Sequence, residues 1–248
     1  NPDPNPKPSP SPKPTPTPTP NPTPHQVDLL MFGDFGKDQD DEKALAMAVT
    51  LQHAGCLQRI SVISNLGDSK MRARLAKGTL NVLEARHTAP NPTPDPDPTR
   101  YPDPDPNPSP HPHPNPHQAR DTAVAVGSDG GRAGDTIHEY EFAGCTYLSS
   151  ETELYQGTGT ELALEAMRNA KAAGHQLSIV CNSAMTDMAT LLEHPEWKEA
   201  SKGVVGGVVM MSGATLNAEG GGVSLDASAQ NNAFDLPSAT KVLDHFQP

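Results

Sequence analysis

Aromatic residues are scarce in this chain of 248 residues: one Trp, four Tyr and five Phe, 4% of the whole. Basic residues are few as well, 18 Lys and Arg against 30 Asp and Glu, which leaves a formal charge of -12. Such a surplus of negative charge repels phosphate backbones and anionic headgroups, and so argues against nucleic acid or an acidic membrane as partner. No apolar run reaches the roughly 18 residues that a membrane-spanning helix needs, so no span is expected. Cysteine is limited to Cys56, Cys145 and Cys181. An odd count fits a reduced protein, one internal bridge plus a free thiol, or an intermolecular bond. Cys181 falls in an apolar segment and suits an inert core thiol, which leaves Cys56 and Cys145 as the better disulfide candidates. No Asn-x-Ser/Thr sequon with a non-proline middle residue is present, so ordinary N-glycosylation is not expected. The sequence opens at Asn1 without a signal peptide, as a processed secreted protein would, and as a fragment would.

Proline is what the chain has in excess: 28 residues, 25 of them in two tracts. Residues 1–24 are twelve X-Pro dipeptides in strict alternation, and residues 89–116 repeat the pattern with one break at Thr99-Arg100-Tyr101. Both tracts end in Pro-His-Gln, at Gln26 and Gln118, and each then leads into a candidate strand. The resulting division is an X-Pro tract over 1–26, the first part of an α/β domain over 27–88, an inserted X-Pro tract over 89–118, and the rest of the domain over 119–248. Outside the tracts roughly 195 residues remain, enough for one domain with a sizeable core. Proline fixes φ, lacks an N–H and pushes the preceding residue to extended backbone. Each tract is therefore expected to be a polyproline II rod, at about 3.1 Å per residue roughly 75 Å long for the first. The plain reading is a stiff spacer. Such a rod makes no hydrogen bonds to itself, so only an outside partner, either neighbouring subunits or a covalent sugar coat, would hold it in place.

The alternating Ser-Pro, Thr-Pro and Ala-Pro dipeptides resemble the hydroxyproline-rich glycoproteins of plant and algal extracellular matrix. That resemblance implies a secreted, extracellular location at a cell surface or in a matrix, and structural use. It also implies O-linked glycans on hydroxyproline, with Pro10, Pro12, Pro16, Pro18, Pro20, Pro94 and Pro110 as candidate sites. Asp and His at many X positions depart from the commonest glycosylated pattern.

The domain is organised around Val27 to Met47. An apolar run, Val27 to Phe32, ends in Gly33 and is followed by Asp34, Asp38, Asp40 and Asp41. Ala44, Leu45, Ala48 and Leu51 then recur at helical spacing, so the stretch reads as strand, acidic turn, helix. Clustered carboxylates repel one another, and a hard cation such as Ca2+ is the usual compensation for an all-oxygen set. The alternative is local: Asp40 as a helix N-cap, with Asp41 and Glu42 favouring the helix N-terminus. Further strands are expected over Arg59–Ser64, Thr122–Val126, Leu177–Cys181 and Val204–Met211. Helices are expected over Asp40–Ala54, Ser69–Glu84, Thr160–Ala173, from the turn after Cys181 to about His194, and Leu236–Phe246. Thr160 is the expected cap of its helix and Gly174 its stop. Residues 127–156 read as irregular; His138 beside Glu139 and Glu141 suggests either a metal site or, as the leading expectation, an ordinary surface loop, and Gly220 to Gly222 reads as a flexible segment.

The segment Asp34-Phe35-Gly36-Lys37-Asp38-Gln39-Asp40-Asp41 resembles the N-terminal signature of the inosine-uridine-type nucleoside hydrolases. Ile63–Asn65, Val180–Asp187, Val208–Ala214 and Asn231–Ala239 resemble further family segments in the same order. The resemblance implies a Rossmann-like, mostly parallel sheet flanked by helices. It implies a Ca2+ held by Asp34 and Asp41, with Asp38 beside them and the backbone carbonyl of Asn182 as a further ligand. Asp34 would be the catalytic base acting on a cation-held water. Asn65, Gln230 and Asn232 would contact ribose, although Asn65 is equally a loop residue capping a turn. Several positions depart from the family. Ser183, Ala184 and Asp187 replace its Gly, Pro and Asn; one glycine is lost at Ser212-Gly213-Ala214; Gln230 replaces a Glu. The family's last carboxylate and leaving-group histidine are not matched, since Asp244 and His245 fall too early, within a helix. Losing several electrostatic contacts together is expected to cripple turnover. The leading expectation is a structural, self-assembling extracellular glycoprotein on an inactive nucleoside-hydrolase-like domain. A Ca2+-dependent nucleoside N-ribohydrolase and a ribose- or nucleoside-binding module are the alternatives.

Overall fold

Strand β1, Val27–Gly33, has six of its seven residues buried, because its two faces pack against two separate cores. Leu30 and Phe32 point into one, Leu29 and Met31 into the other. A strand covered on both faces needs a continuous apolar run, which is why β1 reads VDLLMFG and does not alternate with polar residues. The computed structural model describes residues 26–36, 38–88, 122–132, 139–142, 145–217 and 222–247. Most of both X-Pro tracts, and with them the polyproline II, self-association and glycan expectations at Pro10, Pro12, Pro16, Pro18, Pro20, Pro94 and Pro110, lie outside the described residues.

After β1 come helix α1 (Asp40–His53), β2 (Leu57–Ser64), α2 (Ser69–Thr88) and β3 (Thr122–Val126). Then follow α3 (Glu139–Phe142), a 3-10 turn (Glu151–Glu153), α4 (Gly159–Ala173), β4 (Gln176–Cys181), α5 (Thr186–Glu193) and α6 (Trp197–Ser201). The chain finishes with β5 (Val205–Met210), β6 (Ala214–Leu216), β7 (Val223–Leu225), α7 (Gln230–Phe234) and α8 (Leu236–Phe246). The main sheet has the order β3-β2-β1-β4-β5, and every pairing in it is parallel. α1 and α2 supply Leu45, Ala48, Val49, Leu75, Ala76 and Leu80 to one core. α4, α5 and α8 supply Leu162, Met167, Met188, Leu191 and Val242 to the other. This is the expected α/β architecture, a mostly parallel sheet flanked by helices.

Strand order runs outward from β1 through β2 to β3, then returns to place β4 and β5 on the other side of β1. The loops after β1 and β4 therefore leave in opposite directions, opening a crevice at the carboxyl ends of the strands, the usual ligand site in such sheets.

Several expectations are corrected. The cap of α4 is Thr158, not Thr160: its Oγ1 accepts from Glu161 N–H at 3.1 Å, and Glu161 returns a bond to Thr158 N–H at 2.7 Å. α2 continues past Glu84 to Thr88. The stretch after Ser212 forms an antiparallel β6–β7 pair. The Cys56–Cys145 bridge is not formed, and all three thiols are free. Cys56 is exposed in the turn entering β2, while Cys145 packs on the α1–α2 core. Among the described residues no helix is long and apolar enough to cross a membrane.

Candidate functional site

β1 delivers Asp34 to the crevice and the first turn of α1 delivers Asp40 and Asp41. Asp34 is 6% exposed and Asp41 1%, so the two carboxylates face each other largely out of water. The Asp34 N–H donates to Asp41 Oδ2 at 3.1 Å. The other oxygen, Asp41 Oδ1, is buried without a hydrogen-bond donor among the described residues. Gly33 makes room for it, since a Cβ there would sit 2.5 Å from Asp41 Oδ1 and 2.9 Å from the Phe35 ring. Burial, and then the charge of Asp34, push the Asp41 carboxyl up from 3.8 to about 9. Burial likewise raises Glu42, whose Oε1 accepts from the Gly36 N–H at 2.7 Å. Each of Asp38, Asp40 and Asp41 offers an oxygen within 4.8 Å of the others.

The cleft beside this cluster has a volume of about 340 Å3. Asp34, Asp38 and Asp40 line it from the acidic turn, and Gln230, Asn231 and Phe234 line it from α7. Asn182 and Met211, just past the ends of β4 and β5, line it from the sheet. Asn231 Nδ2 donates to Asn182 O at 2.7 Å and Met211 O at 2.9 Å, tying α7 to both strand ends.

The expected ribose contacts fall in different places. Gln230 lines the cleft. Asn232 is fully buried and does not: its Nδ2 donates to Gly213 O at 3.0 Å and Asp226 O at 2.8 Å, holding the loop before β6 and the turn after β7. The neighbour that faces the cleft is Asn231. Asn65 is also fully buried, donating to Ala184 O at 3.0 Å and Asp187 Oδ2 at 2.9 Å while accepting from Ser183 Oγ at 2.6 Å. Asp244 and His245 lie on α8, outside this cleft. Sequence reasoning also missed Arg72, 4% exposed under the acidic turn, and Glu141, which is not in a surface loop but is 6% exposed against Arg72. A lone arginine in an amphipathic helix carries no local signal of burial.

No protein-family model matches the sequence, and no curated protein does. Solved structures do match. The effector protein XOO4466 superposes with a TM-score of 0.61 at 22% identity, over 89% of this chain and 53% of its own. The type III effector XopQ, solved with adenosine diphosphate ribose, gives 0.61 at 24%, over 89% and 54%. An inosine-guanosine nucleoside hydrolase gives 0.51 at 16%, over 90% and 59%. The fold is that of the nucleoside hydrolases. The chain spans between about half and three fifths of the length of these structures.

A hard cation fits the residues present. The donors are all oxygen, two of the carboxylates are buried against each other, and among the described residues Asp41 Oδ1 has no donor to satisfy it. Asp38, Asp40 and Asp41 bring oxygens within 4.8 Å of one another and Asp34 lies against Asp41, so these four would hold such an ion. The Asn182 carbonyl already accepts from Asn231 but keeps a second lone pair.

Proposed function

We propose that the crevice at the ends of β1, β4 and β5 binds the ribosyl group of a nucleoside, assisted by a divalent cation on Asp34, Asp38 and Asp41. One observation carries this reading: Asp34, backed by the buried Asp41 carboxyl with its unsatisfied oxygen, opens into an amide-lined cleft at the sheet's crossing point. A Ca2+ bound there supplies a fixed positive charge toward which vicinal hydroxyls align. Gln230 brings an amide that both donates and accepts, which suits a sugar hydroxyl. Phe234 and Met211 give the apolar surface that a nucleobase covers. The described lining holds three aspartates and no Lys or Arg, so an uncharged nucleoside suits it better than a diphosphate.

Binding, not turnover, is what these residues support. Proton delivery to a departing base would fall to carboxyls alone, since none of the described lining residues is His, Lys, Tyr or Cys. The expected structural glycoprotein role rests on the X-Pro tracts and stands as a separate proposal.

Calorimetric titration of the chain with adenosine, inosine, ribose and adenosine diphosphate ribose, in Ca2+ and in chelator, tests the reading. We expect heat from nucleoside in Ca2+ and none in chelator. Absence of binding in both conditions refutes it. Release of free base from inosine or uridine replaces it with the hydrolase reading.

A further inference from the structure

Beneath the acidic turn lies a buried charge that the ribosyl site does not touch. Arg72, in the first turns of α2, is 4% exposed. Its Nη1 donates to two carbonyls of the turn, Asp34 O at 3.0 Å and Phe35 O at 2.9 Å. Its Nε donates to Leu66 O at 2.9 Å. Nη2 pairs with Glu141 Oε2 at 2.5 Å, and the Phe142 ring lies 5.7 Å from the guanidinium carbon. Leu66 holds φ at +73°, a left-handed conformation that strains a leucine and that occurs at no other non-glycine among the described residues. Burying an ion pair is expensive, and an apolar pair of similar size often stabilises as well or better. The fold nonetheless spends one here, on the Leu66 carbonyl and on two carbonyls of the acidic turn itself.

We propose that Arg72 is the positioning residue of the cation site, with Glu141 as its counter-charge. By gripping the carbonyls of Asp34 and Phe35 it fixes the peptide planes on either side of Phe35; with the Asp34 N–H held by Asp41, this sets the direction in which the Asp34 carboxylate leaves the backbone. Asp41 then meets Asp34 at a set separation. Glu141 cancels the guanidinium charge, so the clamp adds geometry without repelling the ion. Through Glu141, α3 is tied to the site, although it is distant in sequence from both β1 and α1. Only a planar fork serves three carbonyls and a carboxylate at once; an ammonium does not.

The proposal rests on the cation reading above, and the test separates the two. Ca2+ affinity is measured by calorimetry on the wild-type chain, R72K and E141Q, with thermal melts and hydrogen exchange on each cation-free protein. R72K keeps the charge and loses the fork; we expect it to bind Ca2+ about tenfold more weakly or worse, as for other residues that orient metal ligands. Exchange at the amides of residues 34–36 should quicken while that in β4 stays unchanged. E141Q keeps the fork and uncovers the charge, and should weaken Ca2+ binding most at low salt; it decides the question where R72K does not fold. Folded R72K or E141Q binding Ca2+ as tightly as wild type overturns the role of Arg72 alone. A wild-type chain that binds no Ca2+ overturns the cation reading and this proposal with it.

Discussion

Replacing Asp41 by Asn tests the paired-carboxylate argument directly, because it removes one charge and almost no volume. In the unfolded chain Asp41 releases its proton near 3.8; in the fold it keeps it to about 9, through burial and the Asp34 charge. Between those limits folding takes up a proton. The cation-free wild-type chain should therefore lose stability as pH rises across that window, by about 1.4 kcal/mol per pH unit. At about pH 7 the accumulated cost is on the order of 4 kcal/mol. An asparagine escapes it: its carbonyl still accepts the Asp34 N–H, and its amide donates to the Asp34 carboxylate. In chelator, D41N should match wild type near pH 4 and exceed it by a margin that widens toward neutrality. Urea unfolding at a series of pH values reads this as a higher midpoint with an unchanged slope. Ca2+ should narrow that margin, since a hundredfold excess over Kd adds about 2.7 kcal/mol to the form that binds it. D41N less stable than wild type at about pH 8 in chelator, or an offset indifferent to pH, would refute the reasoning.

Two further outcomes bear on the rest of the chain. Without reductant, thiol titration in urea should find three thiols per chain; in the native protein Cys56 should react promptly and Cys181 not at all, since burial pushes its thiol up to about 12. A single thiol would mean that a bridge forms after all. Intact mass of the native chain decides the glycoprotein proposal: sugar-sized increments above 26.2 kDa sustain it, and the bare mass removes it.

Elements covered on both faces were legible in the sequence because burial alone dictates their composition. β1 and β3 are the clearest cases, with α8 legible from its apolar stripe. α2 outran its expected end because apolar spacing stops at Leu83, while Ala85 and Arg86 are good helix formers that continue the backbone. The β6–β7 pair was missed for a different reason. Each strand has three residues, and much of what holds the pair comes from far away. Gln247, past the end of α8, accepts from Val223 N–H at 2.9 Å and donates to Val223 O at 3.0 Å. A clamp at that separation leaves no mark on local pattern.

The site divides the same way. Its acidic turn was visible because four carboxylates lie within eight positions, and their mutual repulsion demands an explanation on sequence grounds alone. The turn after β4 was misleading for the opposite reason, since Ser183, Ala184 and Asp187 stand where the resembled family has Gly, Pro and Asn, and separately each looks like decay. In the fold they act together. Asp187, which only accepts, receives Asn65 Nδ2, the Ser128 N–H at 2.9 Å and Ser128 Oγ at 2.8 Å. With its Nδ2 committed to Asp187 and the Ala184 carbonyl, Asn65 presents Oδ1 to the Ser183 hydroxyl. Gly130 lies so near Ala184 that a Cβ would come within 3.0 Å of its methyl. Random loss would strand donors and acceptors in a buried network, where each unpaired group costs about 1–3 kcal/mol. Here the donors of Ser128 and Ser183 match the acceptors of Asp187 and Asn65. The ends of β2, β3 and β4 are therefore locked by a re-formed network, and the crevice they border is held in shape.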